Sequence, residues 1–215
     1  MAKYFRYFPQ TLYTSNNKTS GLDTVTNIIS RFSFQNNLKN NTNVFYKYQI
    51  QESDTPEIIA AKYYDNPERH WIVLMFNDIV DPQFDWPLEQ RTLVEYINSK
   101  YSANGAANTT VQTGIAWALS ENNVHSYYKV ITRSSIDGTQ IIEKLQLDAN
   151  TYANVAATTS TYTTANNETV TEAVTKETMS YYEYEVEQNE LKREINLLKP
   201  EFVPTIEKEF KKVFR

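Results

Sequence analysis

The chain has 215 residues, of which 40% are hydrophobic, and a formal net charge of -5 at neutral pH. This length and hydrophobic content are enough for one ordinary domain or two small ones, and they argue against a disordered chain. The negative charge argues against nucleic acid as the main ligand, because binding a phosphate backbone requires an excess of basic residues.

Cysteine and histidine, which supply thiolate nucleophiles and most zinc ligands, are absent or rare. The sequence has no Cys, and its two histidines are His70 and His125. Disulfides, thiolate nucleophiles and Cys- or His-rich metal sites are therefore excluded, and we expect no cofactor. The longest apolar run, Trp71 to Phe76, is far shorter than the roughly 20 residues that cross a bilayer, and the N-terminus lacks the apolar stretch of a signal peptide. We expect a protein without membrane contact that is made in the cytoplasm.

Aromatic residues are abundant, with 16 Tyr and 10 Phe against 4 Gly. Because aromatic side chains dominate the energetics of protein interfaces, this composition favours a protein that binds other proteins. Residues 1–43 carry several of them, including Tyr4, Phe5, Tyr7 and Phe8, without a sustained helical or strand period. This segment is predicted to be an extended N-terminal arm that lies on another surface.

Residues 44–104 have the pattern of a small domain followed by a helix. Residues 44–50 alternate β-branched or aromatic side chains with polar ones, which predicts a strand. Thr55 or Asp54, followed by Pro56, predicts the start of a helix, because these side chains cap the first turn and proline fits its geometry.

A second helix is predicted to begin after Asn66 and Pro67, by the same capping argument. Its side chains are apolar on almost every face, which places it at the centre of the domain. The two helices supply the predicted core residues, which are Ile58, Ile59, Tyr63, Trp71, Leu74 and Met75. A turn with Phe84 and Trp86 and a further helix at residues 88–101 follow.

Beyond residue 104 the composition changes. Residues 105–180 alternate strand-like pieces with Thr- and Asn-rich stretches, and the Asp137-Gly138 pair is typical of a hairpin turn. This segment is predicted to be a β-rich insertion.

The last segment, residues 181–215, is rich in helix-forming residues. Leu191, Ile195 and Leu198 recur at helical spacing, and an apolar stripe follows after Pro200. Amphipathic C-terminal helices are predicted, which either fold back on the core or dock on a partner.

Catalytic motifs are not evident. The four glycines are too scattered to form a phosphate-binding loop, and the common hydrolase motifs are absent from the sequence. Asp78, Asp81 and Asp85 lie close together, and paired carboxylates can hydrolyse glycosides, but the same residues are common in turns. His70 can act as a proton shuttle, yet a lone His in the first turn of a helix is more often structural. We therefore predict that the chain is not an enzyme.

Residues 46–82, YKYQIQESDTPEIIAAKYYDNPERHWIVLMFNDIVDP, resemble a LysM module. The resemblance implies a strand, two helices and a second strand. Many LysM modules bind N-acetylglucosamine polymers, so a peptidoglycan-binding module is the alternative function. The sequence departs from the LysM pattern after Pro82, where QFDWPLEQRTLVEYI leads into a helix instead of a Gly-containing turn and a strand.

A second resemblance covers more of the chain. The entry of the second helix, with Asn66, Pro67 and Trp71, and the block NELKREI at residues 189–195 are similar to the baseplate wedge protein 53 family of T-even-type contractile-tailed phages. Two blocks far apart in sequence are more specific than one LysM match. Residues 105–178 do not resemble that family and are interpreted as a lineage-specific insertion.

The predicted elements together indicate an α+β fold, in which a small LysM-like β-α-α unit is extended by the arm, the further helix, the insertion and the C-terminal helices. The second resemblance implies a virion protein, assembled in the host cytoplasm, that clamps neighbouring wedge subunits around the central hub of the tail baseplate in six copies. Other wedge and hub proteins are the implied partners. The candidate interface residues are Tyr4, Phe5, Tyr7, Phe8, Phe84, Trp86, Leu191, Ile195, Phe202, Phe210 and Phe214.

Overall fold

A computed structural model describes residues 4–14, 22–30, 32–104 and 113–213. The helices are α1 (Asn36–Lys39), α2 (Pro56–Tyr64), α3 (His70–Phe76), α4 (Pro82–Asp85), α5 (Gln90–Lys100), α6 (Thr113–Leu119), α7 (Ala149–Asn154), α8 (Tyr181–Leu191) and α9 (Val203–Val213), with 3₁₀ turns at Tyr4–Tyr7, Pro67–Arg69 and Pro200–Phe202. The strands are β1 (Gln10–Tyr13), β2 (Asp23–Thr26), β3 (Phe45–Gln49), β4 (Val124–Ser135), β5 (Gln140–Leu147), β6 (Thr158–Thr163), β7 (Thr169–Ser180) and β8 (Glu194–Leu198). This mixture of helices and antiparallel strands confirms the predicted α+β class.

The chain forms two compact units. Unit 1 consists of residues 1–89 and 190–215, and unit 2 consists of residues 90–189. The N-terminal segment and the C-terminal residues therefore belong to the same unit as the strand and helices that follow residue 44. The finer division into four segments at residues 1–43, 44–104, 105–180 and 181–215 stays a prediction.

Helix α2 begins where the sequence predicts, and a 3₁₀ turn begins at the predicted start of the second helix, because the predicted caps form. The side chain of Thr55 accepts a hydrogen bond from the backbone N–H of Ile58, at 3.3 Å, and Pro56 takes the first helical position. Asn66 accepts from the N–H of Glu68, at 2.9 Å, and opens a 3₁₀ turn that leads directly into α3. Each cap satisfies an N–H group that a helix start otherwise leaves unpaired.

The buried face of α2 is rotated from the predicted one. Ile59 is buried as predicted, but Ile58 and Tyr63 are exposed, and Ala60 and Tyr64 face the core instead. In α3, Trp71 is buried, and the other two core candidates of this helix, Leu74 and Met75, are only half-buried. In α2, the ring of Tyr63 packs edge-on against Tyr48 of β3, with centroids 5.3 Å apart.

The largest difference from the sequence analysis is strand β8. The apolar spacing predicts one helix through residues 186–198, but α8 ends at Leu191 and β8 pairs antiparallel with β3 from Phe45 opposite Leu198 to Gln49 opposite Glu194. The helical spacing of apolar residues is therefore misleading here, since tertiary pairing overrides weak local preference. The result is a β-α-α-β arrangement whose second strand comes from the far end of the chain.

Helix α3 holds β8 in place through one side chain. The amide of Asn77, the residue that ends α3, donates to the carbonyl of Asn196 at 2.9 Å and accepts from the N–H of the same residue at 2.8 Å. Ile195, Leu197 and Leu198 of β8 are buried in the core of unit 1. This two-way amide contact fixes both the position and the register of the strand.

Unit 2 contains a four-stranded antiparallel sheet in the order β5-β4-β7-β6. The predicted turn at Asp137-Gly138 is confirmed: Gly138 has a φ of 89°, and the side chain of Asp137 accepts from the N–H of Thr139 at 2.9 Å. Helices α5, α6 and α8 pack through buried residues of α5 and α6 and through the rings of Tyr101, Trp117 and Tyr181.

A buried carboxylate links two helices of unit 2. Glu185 of α8 accepts from the ammonium of Lys100 and from the hydroxyl of Tyr101, both at 2.6 Å. Burial, followed by the hydrogen bond to Glu185, raises the pKa of Tyr101. Because a buried charge is tolerated only when it is paired, this contact ties α8 to the end of α5.

Candidate protein-interaction surfaces

An aromatic cluster in unit 1 contains several of the predicted interface residues. The ring of Phe210 in α9 lies 4.9 Å from Trp71, 5.5 Å from Tyr4 and 4.7 Å from Phe32, measured between centroids. Phe8 joins the same cluster, 5.0 Å from Tyr4. The N-terminal segment and α9 therefore fold back over α3, because together they remove a large aromatic surface from water.

The structure thus corrects part of the interface prediction. Phe8, Ile195 and Phe210 are buried inside unit 1, so in this conformation a partner cannot reach them. Tyr4, Trp86 and Phe202 are half-buried. The N-terminal segment is also not extended throughout, since it forms a 3₁₀ turn and the β1–β2 hairpin.

Three predicted interface residues remain exposed: Phe5, Phe84 and Leu191. Phe214 lies outside the described residues, and so does the side chain of Tyr7. Exposed apolar side chains of unit 1 outside the predicted interface and core sets are Leu12, Tyr13, Leu22, Val25, Ile28, Ile29, Tyr46, Val80 and Val213. The adjacent Ile28-Ile29 pair in an otherwise polar stretch was the signal available in the sequence.

An apolar groove of about 510 Å³ opens between the N-terminal segment and the end of α3. Its walls are formed mainly by Tyr4, Phe5, Phe8, Ile28, Phe32, Met75, Ile79 and Val80. The hydroxyl of Tyr4 donates to the sulfur of Met75 at 3.8 Å, which orients both side chains in the wall. At one end Asp78 is hydrogen-bonded to the ammonium of Lys39. The groove has the composition of a site for apolar side chains of another protein.

Trp86, one of the candidate interface residues, makes a hydrogen bond within its own unit. Its indole N–H donates to the carbonyl of Asp54 at 3.1 Å, and the residue packs against the core of unit 1. The buried carboxylate of Asp54 accepts from the hydroxyl of Tyr48, from the ammonium of Lys62 at 2.7 Å and from the N–H of Gln51 at 3.1 Å. The segment between β3 and α2 is therefore tied together by one carboxylate.

The Asp54 network makes the stability of unit 1 depend on pH. Burial alone would raise the pKa of Asp54, but the hydrogen bonds from Lys62, Tyr48 and Gln51 outweigh it and hold that pKa below its ordinary value. A carboxyl of this kind stabilises the fold above its unfolded-state pKa of about 3.9, and the contribution is lost as pH falls through the lower folded-state pKa. We expect Asp54→Asn to flatten the decline of the unfolding free energy below about pH 4, measured by urea titration at a series of pH values. Glu57→Gln, an exposed change in α2, is the control and should keep the wild-type pH profile, whereas an unchanged profile in Asp54→Asn would contradict the assignment.

The residues considered for catalysis have structural contacts. Asp81 caps α4 by accepting from the N–H of Gln83 at 3.0 Å, and Asp85 accepts from the N–H groups of Val80 and Asp81. The Nδ1 atom of His70 lies 3.0 Å from the carbonyl oxygen of Pro67.

Across residues 4–14, 22–30, 32–104 and 113–213, no three acidic or His side chains gather as a metal site requires. Within the same ranges, none of the helices has the length and hydrophobicity to cross a bilayer.

Comparison with known proteins identifies the family of the chain. The family model described as base plate wedge protein 53 matches residues 3–213. One curated relative, baseplate wedge protein gp53 of Enterobacteria phage T4, is 31% identical over 85 residues, which cover 40% of this chain and 40% of the relative. The alignment thus spans less than half the length of that relative. Because the family model extends across both units, the chain belongs to the base plate wedge protein 53 family of structural phage proteins.

Proposed function

We propose that the chain is a non-enzymatic structural subunit of a phage tail baseplate wedge, and that it clamps neighbouring wedge subunits around the central hub in six copies per baseplate. The observation that carries this proposal is the family match, which runs through residues 3–213 and so includes both units. The partners are other wedge and hub proteins.

The two units differ in the surface that they offer to such partners. Unit 1 has the apolar groove beside the N-terminal segment, with exposed Phe5, Ile28 and Val80 at or near its walls. Exposed apolar side chains around a groove are typical of protein interfaces, where they lose contact with water on binding. We infer that this groove receives apolar side chains of a neighbouring subunit.

Unit 2 carries an excess of negative charge that can attract a basic partner. Residues 90–189 contain six basic residues (Lys and Arg) and eleven acidic residues (Asp and Glu), whereas the rest of the chain contains 15 basic and 15 acidic residues. The whole net negative charge of the protein is therefore carried by unit 2. A basic surface on a neighbouring subunit is the complementary partner, since matched potentials speed association and select the correct face.

A matched pair of valines tests the groove. Val80 lines the groove and Val213 lies in α9 outside it, and both are exposed. We expect Val80→Asp to reduce the amount of the protein in tails purified from a complementation assay, because a desolvated charge opposes binding of an apolar partner. Val213→Asp should assemble normally, and both variants should melt like the wild type.

Equal incorporation of the two variants would reject the groove as a contact site. Normal tails formed in the complete absence of this chain would reject the structural role itself. The peptidoglycan-binding alternative has weaker support, because the Trp86 indole is half-buried and its N–H is already bonded to Asp54. It predicts retention on insoluble cell wall, which the baseplate role does not.

A further inference from the structure

Strand β5 is an open edge of the sheet in unit 2. Each of its residues from Gln140 to Leu147 pairs with β4 in a continuous register. On the other side, no strand of the described residues pairs with it. The residues from Gln140 to Gln146 are exposed. An edge strand presents a row of backbone N–H and C=O groups that can pair with another chain.

Of the usual protections of an edge, β5 has two charged side chains, Glu143 and Lys144, but neither a bulge nor a proline. Natural edge strands are short, bulged, interrupted by Pro or fitted with outward charges. In β5 the charges are held by the sheet's own residues: Glu143 pairs with Arg133 at 3.2 Å, and Lys144 pairs with Glu177 at 3.2 Å. Besides its backbone and these two opposite charges, the edge offers aliphatic side chains, chiefly Ile141 and Ile142.

The opposite edge of the same sheet is different. Strand β6 has the sequence TTSTYT and contains no aliphatic side chain larger than those of Thr. It is also shorter than β5. Only the β5 edge thus combines length, an unbroken register and exposed aliphatic residues.

Pairing of β5 with the same strand of a second copy is opposed by charge. A symmetric antiparallel pair sets residues of the same face opposite each other. In the two symmetric registers that pair the most residues, either Glu143 lies opposite Glu143 of the second copy or Lys144 lies opposite its Lys144. Both arrangements place like charges directly opposite, which is destabilising. The edge fits a strand of different sequence better than a copy of itself.

Strand β1 is such a strand, and no third strand of the described residues joins its pair with β2. The four residues of β1 pair with β2, all eight residues of the hairpin strands are exposed, and β1 carries no charge. Leu12 and Tyr13 are among the most exposed apolar residues of unit 1. A two-stranded ribbon of this kind is marginal in water and gains stability when further strands are added.

The residue patterns of β1 and β5 match in one antiparallel register. Leu12 then lies opposite Ile142 and Tyr13 opposite Ile141, so that apolar side chains meet on both faces. Thr11 falls opposite Glu143 and Gln10 opposite Lys144, which pairs polar groups with polar groups. Pairs of an aromatic with a β-branched side chain, such as Tyr13 with Ile141, stabilise a sheet.

We propose that β1 of one copy adds to the β5 edge of a second copy as an antiparallel strand. The contact joins different surfaces of the two copies and is therefore heterologous. Repetition of such a contact either closes into a ring or continues as an open chain.

The absence of Cys from the chain allows a direct test by cross-linking. Leu12→Cys and Ile142→Cys are made as separate full-length proteins, mixed at high concentration and oxidised mildly. We expect a mixed disulfide dimer, several-fold more abundant than in the control mixture of Leu12→Cys with Thr161→Cys, which places the second thiol on the β6 edge. The neighbouring pair Thr11→Cys and Glu143→Cys is tested in parallel, because adjacent cross-strand pairs alternate between closer and wider spacing.

Three results would overturn the proposal. Equal yields in the test and control mixtures would show that contact is random. A dominant disulfide in Ile142→Cys alone would show that β5 pairs with itself. A doubly substituted Leu12→Cys, Ile142→Cys chain that closes internally at high dilution would show that the strand is donated within one molecule. Circular dichroism checks that each variant, changed only at an exposed position, keeps the wild-type fold.

Discussion

Trp71→Ala is expected to destabilise unit 1 by about 3–5 kcal/mol, the usual cost of truncating a buried aromatic side chain. Only 7% of Trp71 is exposed. Its indole packs against Phe210 at 4.9 Å, Tyr4 at 5.5 Å and Phe32 at 6.2 Å, so that the change empties the centre of the aromatic cluster. Such a loss is comparable with the total stability of a small domain. It should lower the melting temperature by roughly 10 °C or more, measured by far-UV circular dichroism.

The control for this prediction is Phe84→Ala, since Phe84 is 60% exposed. Its expected effect is within about 0.5 kcal/mol. The Trp71 variant should also become more sensitive to proteases near its N-terminus and its C-terminus, because both segments pack on the missing ring. A Trp71→Ala protein that melts like the wild type would contradict the assignment of Trp71 to the core.

Leu197→Ala is expected to lower the free energy of unfolding of unit 1 by about 2–5 kcal/mol, although Leu197 lies in the last fifth of the chain. Leu197 is 1% exposed and sits opposite Tyr46 in the β3–β8 pair. Removing its side chain leaves a cavity beside the strand that completes the β-α-α-β arrangement. Urea unfolding should show the loss as a lower midpoint with an unchanged slope.

Leu191→Ala is the matched control, because the same residue type six positions earlier is 66% exposed. A single helix across residues 186–198 would have placed Leu191 and Leu198 on one face with Ile195 and left Leu197 off it. A larger effect of Leu191→Ala than of Leu197→Ala would therefore contradict the strand and favour the helix that the spacing alone suggests. A large effect of Leu197→Ala alone agrees with β8.

Helix starts and the main hairpin turn could be predicted from local sequence. Thr55 before Pro56 and Asn66 before Pro67 each supply an oxygen for an unpaired backbone N–H; α2 begins at the first, and the 3₁₀ turn that leads into α3 begins at the second. Gly138 adopts the positive φ that a tight turn requires, next to an Asp that bonds its own loop. These structures depend on neighbours a few residues apart, and so short patterns carry the information.

The rest of the fold depends on contacts between distant residues. Ile195 fits helical spacing after Leu191, but β3 has an edge to be paired, and the amide of Asn77 bonds Asn196 across 119 positions of sequence. Phe8 and Phe210 have the composition of an interface, yet they are buried against Trp71. An aromatic side chain far from the core in sequence gives no sign of whether its own chain or another molecule will cover it.

The sequence by itself determined the α+β class, the capped helix pair and, through two separated blocks, the family. Only the tertiary structure decided which strand completes unit 1 and which apolar side chains remain free to meet a partner. The physical reason is range: a cap or a turn is stabilised by atoms of adjacent residues, whereas burial of a side chain depends on every surface that can reach it.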